Sequence, residues 1–437
     1  MAREIKIKRG LDIPLQGGAE GEPKPLKAEL VGICPDDYPG YVWKCEVKPG
    51  DKVLAGTPLF HAKDAESIKL VSPVSGSVKE VRRGERRKIL AVTVEREGDE
   101  TSGAVIADTI TEKLKLSGLW AMMRQRPYDI VPVENVAPRD IFVTAFDSSP
   151  LAGNVLPGHL RNYLETGLEV LKSLTKGNVY LSERAEQGIQ SKTAEILDME
   201  GPHPAGNVGV QIAAVSPVNK GETVWTLDAA TAARIGKLAK EGAPDYITEV
   251  AITGPSAENP CRIATEIGAD LKQLLKGELP SGEHTRIISG NVLTGIKESG
   301  ENGFLRYPYR QITLIPEGDN ADEFMGWASM NPMKYSVKRT FPAFLKGLDK
   351  RFNFDARIKG GHRAMILTGE LDKVFPFDIY PEYLIKAMQA GDYDKMEKLG
   401  IYEVAPEDFA LPEFIDTSKQ ELQKLTRESL EKLRKDS

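Results

Sequence analysis

A multidomain α/β fold is the expectation from this sequence, on three grounds. The chain has 437 residues, enough for about three domains at roughly 150 residues each. Hydrophobic residues make up 41% of it and charged residues 28%, so there is apolar side chain for several cores. The hydrophobic period also changes along the chain. Short alternating runs come first, then strand–helix–strand alternation, then helical spacing towards the end.

The opening stretch, Met1-Ala-Arg-Glu-Ile-Lys-Ile-Lys-Arg9, alternates charge with isoleucine. It reads as a strand without the apolar centre of a signal peptide. Apolar runs at 28–33, 42–47, 68–71, 76–81 and 89–95 follow, separated by turns such as Pro49-Gly50-Asp51. That rhythm predicts a small β-barrel or sandwich, with a strongly basic hairpin tip at 82–88. A buried-type strand is expected over 141–145. A helix opened by Pro157 follows, carried by Leu160, Tyr163, Leu164, Leu168, Leu171 and Leu174. Gly177 ends it, a strand resumes over 178–181, and an Ala-rich helix runs over 228–240 to Gly242. Together these predict an α/β layer. Short β segments at 246–253, 286–289 and 311–315, with one helix at 269–276, fit a small mixed sheet. The remainder reads as helical, most clearly over 381–389 and from Ser418, where Ser418-Lys-Gln-Glu421 spells a capping box. Leu422, Leu425, Leu430 and Leu433 give the last helix a narrow apolar stripe, with Glu428/Lys432 and Glu431/Lys435 as favourable pairs.

Composition excludes several functions. A net charge of −6 argues against nucleic acid, which wants a basic face. No apolar run approaches the ~18 residues of a spanning helix; the softest, 208–218, is broken by Gln211, Ser216 and Pro217. Cys34, Cys45 and Cys261 show no CxxC spacing, which suits a reducing compartment and cannot supply a four-thiolate iron–sulfur cluster. The glycine cradles for pyrophosphate are absent. None of the five histidines has a partner at metal-ligand spacing, and no nucleophile elbow is present. Neither a metal nor a self-contained catalytic site is expected.

Val47-Lys-Pro-Gly-Asp-Lys-Val-Leu-Ala-Gly-Thr-Pro-Leu59 and Ser72-Pro-Val-Ser-Gly-Ser-Val78 resemble the biotinyl/lipoyl barrel-sandwich domain. The position of its carrier lysine falls on Ala65, with Lys63 and Lys69 nearby, so a structural use of the barrel is expected. Five further blocks occur in order: 7–14, 117–128 (Ser117-Gly-Leu-Trp-Ala-Met-Met-Arg-Gln-Arg-Pro-Tyr128), 141–147, 201–206 (Gly201-Pro-His-Pro-Ala-Gly206) and 286–295 (Arg286-Ile-Ile-Ser-Gly-Asn-Val-Leu-Thr-Gly295). Together they resemble the NqrA subunit of the bacterial Na⁺-translocating NADH:quinone oxidoreductase, over essentially the whole chain.

That resemblance implies a peripheral subunit on the cytoplasmic face of the inner membrane. Its partners would be the other subunits, especially the membrane-embedded ones, and flavins and iron centres would lie on those partners. The implied architecture is like the NADH-oxidising subunit of respiratory complex I: a barrel-sandwich domain over 1–100, a Rossmann-like α/β domain over 101–250, a β-grasp module over 251–330 and a C-terminal helical domain over 331–437. In place of a glycine-rich flavin loop stands the bulky Gly118-Leu-Trp-Ala-Met-Met-Arg-Gln-Arg126, and the region from Gly400 carries no cluster cysteines. No cofactor of its own is expected, and sodium translocation cannot reside in a chain without spanning helices.

Ubiquinone binding remains, needing an apolar slot with one or two donors. Two patches could supply it: Trp120 with Arg124, Arg126 and Asp129, and the aromatic run Tyr38, Tyr41 and Trp43. The first also reads as an Arg/Asp-capped helix end packed on a sheet, the second as ordinary barrel core. Two further readings stay open, a cofactor-free scaffold with no ligand and a soluble carrier-type component using the barrel.

Overall fold

The computed structural model describes residues 2–100, 103–281, 284–319, 325, 330–332, 334–338 and 350–436. Two antiparallel sheets occupy the first hundred residues. One runs in the order Leu30–Ile33, Ile89–Arg96, Gly76–Arg83, Lys52–Val53, and the other Trp43–Cys45, Pro58–Ala62, Ala65–Val71. Alternate residues turn inward, so Val31, Phe60, Ile68, Val78, Val92 and Val94 share one buried core. The strands at Lys52–Val53 and Pro58–Ala62 were not expected, because Pro58 and the short run at 52–53 disguise the alternation. The basic tip folds as expected, with 84–88 joining two strands.

Two early segments pair elsewhere. Arg3–Lys6 runs parallel to Glu195–Glu200, and Lys24–Pro25 parallel to Cys261–Glu266. The N-terminus is therefore stitched into both later sheets.

The second sheet has the order Arg3–Lys6, Glu195–Glu200, Val179–Glu183, Ile141–Thr144, Val224–Asp228, Arg124–Arg126. All its pairings are parallel except the last. A preceding helix α1 (Ile110–Leu116) starts in a capping box of Thr109 and Glu112. On one face of the sheet, Ile141, Val143 and Leu181 meet α2 (Leu164–Ser173) and α4 (Ala229–Glu241). On the other, Phe142, Tyr180 and Leu197 meet α3 (Val208–Val215) and the C-terminal helices. Asp228 caps α4 by accepting from the Thr231 N–H at 2.7 Å, and Gly242 ends it at φ +75°.

Helices α2 and α4 touch backbone to backbone through Gly167 and Gly236. A Cβ at Gly167 would lie 1.8 Å from the Ala232 carbonyl oxygen. Gly167→Val therefore forces the helices apart and costs about 3 kcal/mol, to be read as a lowered urea midpoint. A change below ~0.5 kcal/mol would mean that the helices slide freely.

The third sheet is mixed, in the order Ile296–Glu298, Thr285–Ser289, Gln311–Pro316, Ile247–Thr253, Cys261–Glu266, Lys24–Pro25. Its helix is shorter than the expected 269–276. α5 is the single turn Leu271–Leu274, capped by Asp270, because Leu275 leaves helical geometry.

Residues 333 and 339–349 lie outside the described part of the expected helical region. Residues 350–370 are not helical, contrary to the expectation for the remainder, since Gly360-Gly361 interrupts any periodic run. The described helices there are α6 (Pro381–Ala390), α7 (Tyr393–Lys398), α8 (Ala410–Ile415) and α9 (Leu422–Asp436). The expected capping box at Ser418 does not form. Asp416 accepts from the N–H groups of Ser418 and Gln420 instead, and α9 begins four residues later, where Glu413 accepts from the Gln423 N–H. The apolar stripe of α9 is buried as expected at Leu422, Leu430 and Leu433.

Candidate functional site

In the second sheet the chain builds outward from Ile141–Thr144 to one side, then returns to place Val224–Asp228 on the other side. The carboxyl ends of those two strands diverge there, at the position where open parallel sheets form a ligand crevice. A cleft of about 430 Å³ lies at that point, with Thr144 and Asp228 on its wall. The first hundred residues contribute Asp37, the third sheet Asn291 and Arg310, and the C-terminal segment Glu407 and Arg427.

Four of the five sequence blocks noted above converge on this cleft. Arg124 and Arg126 come from 117–128, Asp147 from 141–147, His203 from 201–206 and Leu293 from 286–295. Asp129 lines it as well. Trp120, Tyr38 and Tyr41 are not on its wall. They pack behind it, where the two aromatic patches become one junction. The Trp120 indole N–H and the Tyr41 hydroxyl both donate to the Pro132 carbonyl, at 2.9 and 3.1 Å. Trp120 meets Trp225 edge-on at 5.0 Å, and Tyr38 stacks on Tyr307 at 5.3 Å. Arg124 donates to the carbonyls of Asp37, Ala121 and Met123 and lies over the Tyr307 ring, tying that junction to the wall.

The deepest feature is an ion cluster around Arg126, which is 2% exposed. Its guanidinium donates to Glu407 Oε1 at 2.7 Å and Asp408 Oδ2 at 3.3 Å, with Asp129 Oδ1 at 3.9 Å. Arg427 of α9 binds Asp129 at 2.6 Å. Asp408 reaches the first turn of α3 because residue 209 is glycine; a Cβ there would sit 2.5 Å from its carboxylate oxygen. Burial raises the Asp408 carboxyl above its usual range despite Arg126. Burial, reinforced by Asp408, Asp129 and Asp147, pushes Glu407 up to about 8. Burial also acts to raise Asp129, but Arg427 and Arg126 prevail and hold it below the ordinary value. The cleft floor therefore combines fixed cations with one carboxyl poised to exchange a proton at neutral pH.

Opposite, His203 Nδ1 lies 3.0 Å from Ser148 Oγ, and burial depresses its pKa. Asp228 pairs with Arg310, and Asp37 with Arg306 at 2.6 Å. No group of three or more His, Cys, Asp or Glu side chains stands ready for a metal among the described residues, and no helix among them is long and apolar enough to cross a membrane.

Sequence reasoning missed Glu407, Asp408, Arg427 and Arg310. Pro406-Glu407-Asp408 reads locally as a capped turn, and its partner Arg126 is 281 residues from Glu407. Only the strand order, which puts both at the same crevice, makes that pairing visible.

By architecture this is a multidomain α/β protein of the class that carries its cleft at the carboxyl ends of a parallel sheet. The description "NqrA N-terminal barrel-sandwich hybrid domain" matches residues 5–97, "NqrA second alpha/beta domain" residues 105–244, and "NQRA C-terminal domain" residues 249–299. The NqrA subunit of the Na(+)-translocating NADH-quinone reductase of Hahella chejuensis is 36% identical, covering 99% of this chain and 100% of that one. Its counterpart from Pasteurella multocida is 34% identical over the same shares. This chain belongs to the family of NqrA subunits of the Na(+)-translocating NADH-quinone reductase. Among solved structures, an air-oxidized NAD+-reducing NiFe-hydrogenase aligns over 69% of this chain and 60% of its own, at TM-score 0.34 and 11% identity.

Proposed function

We propose that this chain is the peripheral, cytoplasmic-face subunit of a sodium-translocating NADH:quinone reductase, and that its cleft takes the headgroup of ubiquinone. In this reading the chain holds no redox cofactor. Flavins and iron centres lie on partner subunits, and the membrane-embedded subunits are its docking partners. The finer domain names belong to the same proposal: Rossmann-like for the second sheet with its helices, β-grasp for the third, with the four-part division at about 100, 250 and 330.

Convergence of four sequence blocks on a crevice at the strand switch point carries the cleft assignment. Met122, Val155 and Leu293 bring apolar surface to its wall, and Arg124 and Arg126 bring guanidinium donors. The bulky segment after Gly118 supports the absence of a flavin, since Leu119, Trp120, Ala121, Met122 and Met123 turn into the core.

Calorimetric titration of the purified chain with a short-chain ubiquinone tests this. Saturable binding is expected, weakened at least ~10-fold (~1.4 kcal/mol) by Val208→Trp, which fills the cleft from its rim. Titration without saturable heat would move the quinone to another protein of the complex and leave this chain a scaffold. A carrier-type reading keeps one observation. Lys63 and Asp64 form the exposed tip between Pro58–Ala62 and Ala65–Val71, while Ala65 is buried. An intact mass equal to that of the unmodified sequence removes it.

A further inference from the structure

We infer that an exposed strap beside α6 binds the anionic phospholipid surface of a membrane. The inference deepens the peripheral placement proposed above and rests on it. Residues 350–369 hold five lysine and arginine residues against one acid, within a chain of net charge −6. Residues 357–369 form neither helix nor strand, yet they are tied down at defined points. The Lys386 ammonium donates to the Met365 carbonyl at 2.8 Å, and Met365 itself is buried. The N–H groups of Thr368 and Gly369 donate to the Glu382 carboxylate at 2.7 and 2.9 Å. Glu382 and Lys386 are one turn apart on α6, so the strap lies along that helix.

What the strap leaves outward is unusual for a water-facing surface. Ile358 is 61% exposed, Ile366 65% and Leu367 46%, and α6 adds Tyr383 at 56% with Tyr380 at 69% just before it. Lys359, His362 and Arg363 are exposed among them. The neighbouring acids do not cancel this charge. Asp355 binds Arg357 and Lys359, Glu382 is covered by the strap's own N–H groups, and Glu370 pairs with Lys373. Asp378 is the exposed acid near Tyr380.

Aliphatic side chains among cations, with tyrosines at the margin, match a lipid interface layer by layer. The aliphatic groups enter the acyl boundary, the phenols stay at headgroup depth, and the cations meet lipid phosphates. A fluid surface accepts such projections wherever they fall, whereas a protein partner must offer a pocket for each.

Flotation of the full chain with vesicles tests the inference. Vesicles of phosphatidylethanolamine with about 30% phosphatidylglycerol should retain the protein, and phosphatidylcholine vesicles should not. Retention should fall when salt rises from about 50 to about 300 mM. The double variant Ile366→Glu/Leu367→Glu, and separately Arg363→Glu, should lower retention at least ~10-fold with an unchanged far-UV CD spectrum. Arg86→Glu/Arg87→Glu, in the other basic tip, should leave it unchanged. Three results would overturn the inference: no retention on anionic vesicles, retention indifferent to the strap variants, or strap variants that keep vesicle binding but detach the chain from its complex, which would make the strap a protein interface. Co-purification of the wild-type chain with flavoprotein subunits tests complex membership separately.

Discussion

Arg126→Met should destabilise the chain by about 3–5 kcal/mol, the cost of stranding buried carboxylates without their cation. Asp408 is 2% exposed, and its Oδ2 holds only Arg126 and the Ala405 N–H. With the guanidinium gone, Asp408 and Glu407 face each other and Asp129 across a low-dielectric floor. Three comparisons make the cause legible. Adding Asp408→Asn should restore part of the loss, because it removes the stranded charge. The loss should be smaller at pH 5 than at pH 8, because protonation achieves the same neutralisation. Arg126→Lys should fall between, since one ammonium cannot span two carboxylates as the planar fork does. Urea midpoints across this set decide the matter, and a loss below ~1 kcal/mol would mean that the cluster is screened like a surface pair.

Glu407→Gln should flatten the dependence of stability on pH. The folded-state pKa of Glu407 stands near 8, above the ~4.3 of an unperturbed glutamate. Between those values the folded state holds a proton that the unfolded state releases. Stability from this group is therefore complete below about pH 4 and is lost as pH rises towards 8. The upper limit on the slope is ~1.4 kcal/mol per pH unit. The actual slope should be smaller, because 39% of the Glu407 side chain meets solvent in the cleft. Asp408, also raised, contributes with the same sign and should persist in the variant as a residual slope. Parallel curves for wild type and Glu407→Gln would show that Glu407 is ionised throughout.

Both effects depend on contacts that local sequence could not announce. Periodicity located α2, α4 and most strands of the first two sheets, because burial on one face imposes a repeat that needs no partner to be read. It failed where partner and segment are far apart. Lys52–Val53 is too short to show alternation. Ser418 presents a good capping spelling, yet Asp416 competes for the same N–H groups and wins by being nearer to them. The aromatic patches were visible as patches, but whether Tyr41 and Trp120 faced a ligand or one another depended on where Pro132 fell. Arg124, Arg126 and Asp129 lie on the cleft wall, while the carboxylates that set their chemistry arrive from about 280 residues downstream. Electrostatics of this kind are a property of topology.

The pairing of Arg3–Lys6 with Glu195–Glu200 and of Lys24–Pro25 with Cys261–Glu266 makes the chain inseparable into its parts. A fragment cut at 105–244 would expose the whole length of Glu195–Glu200 as a bare hydrogen-bonding edge, ready to recruit another strand. A fragment beginning near 249 would bare Cys261–Glu266 in the same way. During synthesis the opening residues must also wait for partners that emerge nearly two hundred residues later, which places the closing of both sheets late in folding. Domain swaps between relatives should therefore carry residues 3–25 along with the later sheets, because those residues complete both of them.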